Sequence, residues 1–180
     1  MVAGVAALLD EPHAQIVEAI WQEFTQRFGV HGLSQTPIPH LTWHVAASYD
    51  TGAVVPLLRR IASETPPFII QTNGLGLFTG PEPVLYIYVR PNPQLTALHQ
   101  RLWHALDGSA SVPSLLYHPD NWHPHISLSY RDMGPDLLAQ AVALLCQRDF
   151  YWQVRVETLS IISAPPGAVH TVEWRVSLGG

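Results

Sequence analysis

Two stretches of the chain read alike. They are Pro39-His40-Leu41-Thr42-Trp43-His44-Val45 and His123-Pro124-His125-Ile126-Ser127-Leu128-Ser129-Tyr130. Each runs histidine, apolar residue, hydroxyl residue, apolar residue. Extended backbone sends successive side chains to opposite faces. His40 and Thr42 therefore share one face and Leu41 and Trp43 the other, while His125 and Ser127 are set against Ile126 and Leu128. The apolar face of each strand anchors it, and the other face presents an imidazole beside a hydroxyl. A chain that makes this strand twice is constrained to a fold that displays both faces. Meeting across a cleft, they supply an acid, a base and two hydrogen-bond donors.

The rest of the chain repeats around these strands. Met1 to Leu9 is apolar, lacks a basic flank and runs straight into Asp10, so it is expected to be a first strand rather than a signal peptide. Asp10 caps a helix with Pro12 in its first turn, Ile16, Ile20, Phe24 and Phe28, with Val17 and Trp21 beside them, as its apolar stripe, and Gly29 as its stop. After a loop comes the first histidine strand, His40 to Tyr49. A helix follows with Val54, Leu57, Leu58 and Ile61 inward, then a strand from Phe68 to Phe78 in which Gly74 and Gly76 allow close backbone approach. Val84 to Arg90 alternates cleanly, with Leu85, Ile87 and Val89 toward the core and Tyr86, Tyr88 and Arg90 on the other side. A third helix carries Leu95, Leu98, Leu102 and Leu106. Gly108 to Asn121 reads as a loop, the second histidine strand follows, and a fourth helix runs through Leu137, Leu138, Ala141, Val142 and Leu145. Two closing strands are expected near Tyr151 to Ile162 and Val169 to Leu178. The two histidines, and the strands opening each half near Val2 and Val84, share one offset of about 85 positions. This order predicts a single α+β domain over 1–180, bilobal with approximate repeats 1–80 and 81–180. Its pseudo-two-fold axis would relate two sheets flanked by helices, with the site in the cleft between them.

Charge narrows the partners. The net charge is -5, and all nine cations of the Lys and Arg class are arginines, too few to form the basic stripe that a long nucleic-acid track needs. A terminal phosphate held by a few directed groups suits this balance. No apolar run reaches the roughly 18 residues of a membrane span. The single cysteine, Cys146, excludes a disulfide framework and is expected to be a buried thiol, in a chain assigned to the cytoplasm.

A histidine two places before serine or threonine should arise roughly once by chance in a chain of this composition, so the pairs gain weight from their matched context. Together Pro39-His40-Leu41-Thr42 and Pro124-His125-Ile126-Ser127, at this separation, resemble the paired signatures of the two-histidine (2H) phosphoesterase superfamily. That superfamily includes 2′-5′ RNA ligase-like proteins and cyclic phosphodiesterases. The resemblance covers nearly the whole chain, since Leu77-Phe78 through Val84-Leu85-Tyr86 is similar to the family's link into its central strand. It implies a bilobal α+β fold with a pseudo-two-fold axis, His40 and His125 as the catalytic pair, and Thr42 and Ser127 as hydroxyls on phosphate oxygens. It departs at Tyr130, where many relatives carry an arginine; here Arg131 stands one step later.

The chemistry fits these residues. Opening a 2′,3′-cyclic phosphate takes a proton from water and gives one to the leaving oxygen. Two imidazoles with ordinary pKa values near 6.5 can hold opposite protonation states for that exchange. The expected activity is a metal-independent phosphodiesterase, with no cofactor, acting on 2′,3′-cyclic phosphate or 2′-5′ ends of RNA or nucleotides and reversible as 2′-5′ ligation. Tyr86 and Tyr88, with Tyr130, are the candidate substrate-binding residues, the first two as a stacking platform for a base. His44 and Ser129 continue along the catalytic face, either supporting it or as satisfied interior polar groups. His13, His31, His99, His104 and His170 are expected on helix or loop surfaces. Two other readings are open. One is a metal-dependent hydrolase holding its ion with His123, His125 and His118 or Asp120. The other is a non-catalytic nucleotide-binding module.

Overall fold

The computed structural model describes residues 2–180. In chain order the elements are β1 (Val2–Leu8), α1 (Glu11–Phe28), β2 (His40–Tyr49), α2 (Thr51–Ser63), β3 (Phe68–Phe78), β4 (Val84–Arg90) and α3 (Pro93–Leu106). They continue with β5 (Ala110–Pro113), β6 (His125–Ser127), α4 (Pro135–Leu145), β7 (Gln153–Val156), β8 (Thr158–Ala164) and β9 (Thr171–Ser177). The first position of the expected opening strand, Met1, lies outside the described residues. The architecture is the expected α+β one. Five strands in the order β5-β2-β1-β8-β9 form one antiparallel sheet, and four in the order β6-β4-β3-β7 form the other.

Four strands of the larger sheet correspond to the four of the smaller, and β5 is an addition at its edge. Each histidine strand lies beside the strand that opens its half, β2 on β1 and β6 on β4, and the other side of that opening strand is filled from the opposite half of the chain. β3 leaves the first half to pair with β4, and β8 returns from the second half to pair with β1. The sheets therefore cross the boundary between 1–80 and 81–180: the first half gives β3 to one sheet, and the second half gives β5, β8 and β9 to the other. The expected single strand from Tyr151 to Ile162 is broken at Glu157 to make this possible, with β7 pairing to β3 and β8 to β1.

Helix ends and faces follow local chemistry, with three corrections. The buried face of α1 is Val17, Ile20 and Phe24, while Ile16 is 43% exposed. Asp10 stands at the N-cap of α1 without bonding the helix's backbone donors. Its carboxylate instead pairs with His13 and accepts from the Arg155 backbone N–H at 3.1 Å, which ties the helix start to β7. Gly29 closes α1 at φ 66, a left-handed conformation open to glycine at little cost. Asp50 and Asn92 cap α2 and α3 in the ordinary way, accepting from Gly52 and Ala53 and from Leu95. Cys146 is exposed at the end of α4, whose buried face is Ala141 and Leu145, so the expected buried thiol lies on the surface.

The stretch expected as a loop after α3 holds a strand. β5 adds to the free side of β2 through Ala46↔Pro113 and Ser48↔Ser111, and a 3₁₀ turn, Leu115–Tyr117, follows. β2 itself carries a bulge: Val5 is opposite His44 and Ala6 opposite Thr42, so Trp43 is the extra residue. The alternation flips there, and His44 is buried with Trp43 rather than continuing the face of His40 and Thr42. Among the described residues no helix is long and apolar enough to cross a membrane.

Candidate active site

His40 and His125 each stand at the first position of a strand, opposite Leu8 and Tyr88 respectively. Each is preceded by a proline, whose locked φ holds the carbonyl before it close to the imidazole. His40 Nδ1 donates to the Ile38 carbonyl at 2.5 Å, and His125 Nδ1 donates to the His123 carbonyl at 2.6 Å. A carbonyl oxygen only accepts, so the hydrogen of each neutral ring is on Nδ1 and each Nε2 keeps a lone pair. Both rings line one cleft of about 750 Å³, and Thr42 and Ser127 line it with them. The structure thus brings all four sequence-selected residues to one cavity.

The strands are held across the lobes. Trp122, just before β6, donates its indole N–H to the Thr42 carbonyl in β2 at 3.1 Å. Trp21 of α1 donates to the Ser127 carbonyl in β6 at 3.2 Å. Each half supplies the tryptophan that fixes the hydroxyl strand of the other. The Tyr117 hydroxyl is also hydrogen-bonded to the Thr42 side chain.

Electrostatics keep the pair uncharged. Burial lowers the His40 pKa, and the nearby His170 ring adds to this against the opposing Ile38 carbonyl. Burial is also the main cause that brings His125 down to about 4, with the His123 carbonyl opposing it and repulsion from His123 and His40 adding to it. At neutral pH both rings are bases. An anion between them favours the protonated form, so a phosphate brings with it the condition for one ring to become the acid.

The expected aromatic platform is built differently. Tyr86 is on the face of Ser127, its partner across the strands, but it is only 6% exposed and does not line the cleft. Gly76 makes room for it: a Cβ there would meet the Tyr86 ring at 2.3 Å. The ring lies 4.4 Å from Phe78 between centroids, and its hydroxyl meets His123 Nε2 at 3.0 Å. Tyr88 is half-buried, 5.2 Å from the His123 ring, and likewise does not line the cleft. The aromatic residue that does is Phe78, edge-on to His125 at 4.9 Å. It reaches this position because the β3 bulge at Asn73 and Gly74 resets the alternation. Tyr130 lines the cleft with Arg131, whose guanidinium sits 5.0 Å from the Tyr130 ring and pairs with Glu82 at 3.1 Å.

Three further histidines bear on the site or on the strand behind it. His170, expected on the surface, lines the cleft, its Nδ1 2.9 Å from the Gln35 carbonyl and 3.2 Å from the Thr36 hydroxyl. No local pattern marks it, since it arrives from the far end of the chain. His99, also expected on the surface, is fully buried, flat against Trp122 at 3.8 Å and bonded through Nε2 to the Tyr117 carbonyl. His44 is an interior group whose Nδ1 meets the Tyr49 hydroxyl at 2.7 Å. Burial lowers both His44 and His99 to about 4. Ser129 is interior too, its hydroxyl accepting from the Leu85 N–H at 3.0 Å.

The metal set considered from sequence is not assembled. His118 packs edge-on to Trp103 at 5.2 Å beside Asp120, and His123 Nε2 is engaged by Tyr86. Among the described residues no three His, Cys, Asp or Glu side chains are grouped to hold an ion.

Comparison with known proteins bears on the family and the fold of the chain. The family model described as the 2′-5′ RNA ligase superfamily matches residues 9–166. A Geobacillus kaustophilus protein named as a candidate phosphoesterase is 27% identical over 145 residues, covering 79% of each chain. The crystal structure of TT0787 of Thermus thermophilus superposes with a TM-score of 0.70 at 20% identity, covering 100% of this chain and 99% of that one. That of E. coli LigT complexed with 3′-AMP does so with a TM-score of 0.64 at 18% identity, covering 99% and 98%. These structures share the fold.

Proposed function

The chain belongs to the 2′-5′ RNA ligase superfamily, and from that premise we propose that it is a metal-independent phosphodiesterase. Its substrates are 2′,3′-cyclic phosphates or 2′-5′ phosphodiesters at the ends of RNA or nucleotides. Family membership supports a phosphoesterase-type enzyme. The observation that carries the finer reading is the matched pair of Nδ1 latches, which leaves two proton-accepting Nε2 atoms in one cleft beside Thr42 and Ser127.

In this mechanism one Nε2 takes a proton from water as the water oxygen bonds to phosphorus. The bond from phosphorus to the 2′ or 3′ oxygen breaks, and that oxygen receives the proton held by the other imidazole. The product is an open phosphate monoester, and the two rings end with their protonation states exchanged. Thr42 and Ser127 donate to the non-bridging oxygens, where negative charge grows in the transition state. Each ring starts as a base because of burial, so the bound anion supplies the stabilisation that keeps one of them charged. With a nucleotide 5′ hydroxyl in place of water attacking the cyclic phosphate, and the bond from phosphorus to the 3′ oxygen breaking, the same steps make a 2′-5′ linkage, and their reverse re-forms the cyclic phosphate. The single cysteine has no partner within the sequence, which fits a cytoplasmic enzyme.

The test is a panel of 2′,3′-cyclic nucleotides and 2′-5′ dinucleotides, assayed with and without EDTA, with the product monoester identified by its position. Turnover that survives EDTA is expected. Complete loss on chelation, restored by one particular divalent ion, would overturn the reading.

A further inference from the structure

The cleft has one wall that phosphate chemistry does not explain. β5 and the 3₁₀ turn after it carry Val112, Leu115 and Leu116, which are 77%, 68% and 73% exposed. Val112 and Leu116 line the cleft, continuous with Val45, Ala47 and the strand that carries Thr42. Val112 also has φ 48. A β-branched residue in the left-handed region is strained. Here the strain holds an apolar side chain out into the cleft mouth rather than into the core, so core packing does not account for it.

The charges of the cleft point the same way. Its lining carries one arginine, Arg131, already paired with Glu82 at 3.1 Å. A single-stranded RNA needs a cationic groove along its backbone, with each neutralised phosphate steepening the salt dependence of binding. Beyond the imidazoles of His123 and His170, the described residues of this lining offer no further cation to follow a second or third phosphate. What lies beside the apolar wall is polar and uncharged: Ser114, and Asn121, whose side-chain N–H₂ donates to the Leu115 carbonyl at 3.0 Å and whose amide oxygen can accept. An apolar face bordered by a hydroxyl and an amide oxygen matches a heteroaromatic base, flat on one side and hydrogen-bonding at its edge.

We infer that the Val112–Leu116 lip is a nucleobase subsite, and that the enzyme's substrate is a 2′,3′-cyclic mononucleotide rather than the end of an RNA chain. The inference rests on the phosphodiesterase reading and narrows it. The lip determines specificity without taking part in the proton transfers.

The full chain is assayed with 2′,3′-cyclic mononucleotides, with a ten-residue RNA ending in a 2′,3′-cyclic phosphate, and with methyl riboside 2′,3′-cyclic phosphate, which has no base. Each substrate is measured at low and high salt. Wild type should favour the mononucleotide over the RNA, with little salt dependence. Leu116→Ser should raise KM for the mononucleotide about tenfold and leave the base-free ester unchanged. Val112→Gly separates ligand contact from stability. Glycine accepts the left-handed backbone, so Tm should hold or rise while KM for the mononucleotide goes up. The inference is overturned if the RNA is preferred tenfold with a steep salt response, or if Leu116→Ser weakens the base-free ester equally. It is also overturned if Leu116→Ser only dissociates a dimer in sedimentation and leaves KM unmoved, since the lip would then meet a second copy. Should no ester turn over, the phosphodiesterase reading itself falls. Calorimetric binding of nucleoside 2′- and 3′-monophosphates to wild type and Leu116→Ser then decides the lip: a tenfold weaker variant upholds a base site, and equal affinity removes it.

Discussion

β2 holds its histidine at one end of a ten-residue strand with neighbours on both sides, whereas β6 holds its own with three residues at the margin of its sheet. The two rings nevertheless receive the same treatment. Each has a proline before it, an Nδ1 latch to the carbonyl two residues back, and a tryptophan from the other half bonded to the hydroxyl residue's carbonyl. The missing ladder of β6 is replaced by local bonds. Leu128 and Ser129 both donate backbone N–H groups to the Leu85 carbonyl, at 2.8 and 3.1 Å, and the Ser129 hydroxyl accepts from Leu85. The placement of the two imidazoles is set by contacts within two residues of each histidine and by one cross-lobe bond, and strand length matters little to it.

Loss of either imidazole tests that equivalence most severely. His40→Ala and His125→Ala should each lower kcat about a thousandfold with circular dichroism unchanged. A loss confined to one of them would show that only one ring moves protons. The hydroxyls come next. Thr42→Ala and Ser127→Ala should each reduce kcat about a hundredfold, and Thr42→Ser should recover most of the activity if phosphate contact is the role.

The tryptophans should separate the two frames. Trp21→Phe keeps an aromatic ring but removes a bond worth about 1 kcal/mol from the shorter strand. A roughly fivefold fall in kcat with little change in Tm is expected. Trp122 is also stacked on His99 at 3.8 Å and on Trp43 at 5.6 Å, so Trp122→Phe should lower Tm more than it lowers kcat. Reversal of that order would mean that the longer strand is the more fragile.

The smallest and most graded contrast is with pH. His44, within β2, and His99, stacked on Trp122, have folded-state pKa values of about 4, below the ordinary 6.5. Between those values the unfolded chain binds more protons than the folded one. The stability these rings contribute is whole above pH 6.5 and is lost as pH falls toward 4, at up to about 1.4 kcal/mol per pH unit for each. His125 acts in the same sense, so the contribution of His99 is isolated by comparison with His99→Gln, whose urea midpoint should fall less steeply over that range. An unchanged slope would remove His99 from the account.

The face of each motif was legible in the sequence because four residues of alternating polarity leave a strand only one way to bury its apolar side. The helices were legible from their stripes and prolines. What escaped depended on partners distant in sequence. The bulge at Trp43 that turns His44 inward arises from pairing with β1. Tyr86 is covered because Gly76, on the next strand, offers it a bed and Phe78 closes over it. The break at Glu157 reflects which sheet has a place to fill, and β5 forms from serine-rich sequence because the outer side of β2 needs partners. His170 carries no signal of its own until β9 places it in the cleft.

The exchange of β3 and β8 has a consequence for folding. Because each sheet takes an interior strand from the other half of the chain, neither sheet is complete until both halves have folded, and the two imidazoles come to face one cleft through that joint assembly.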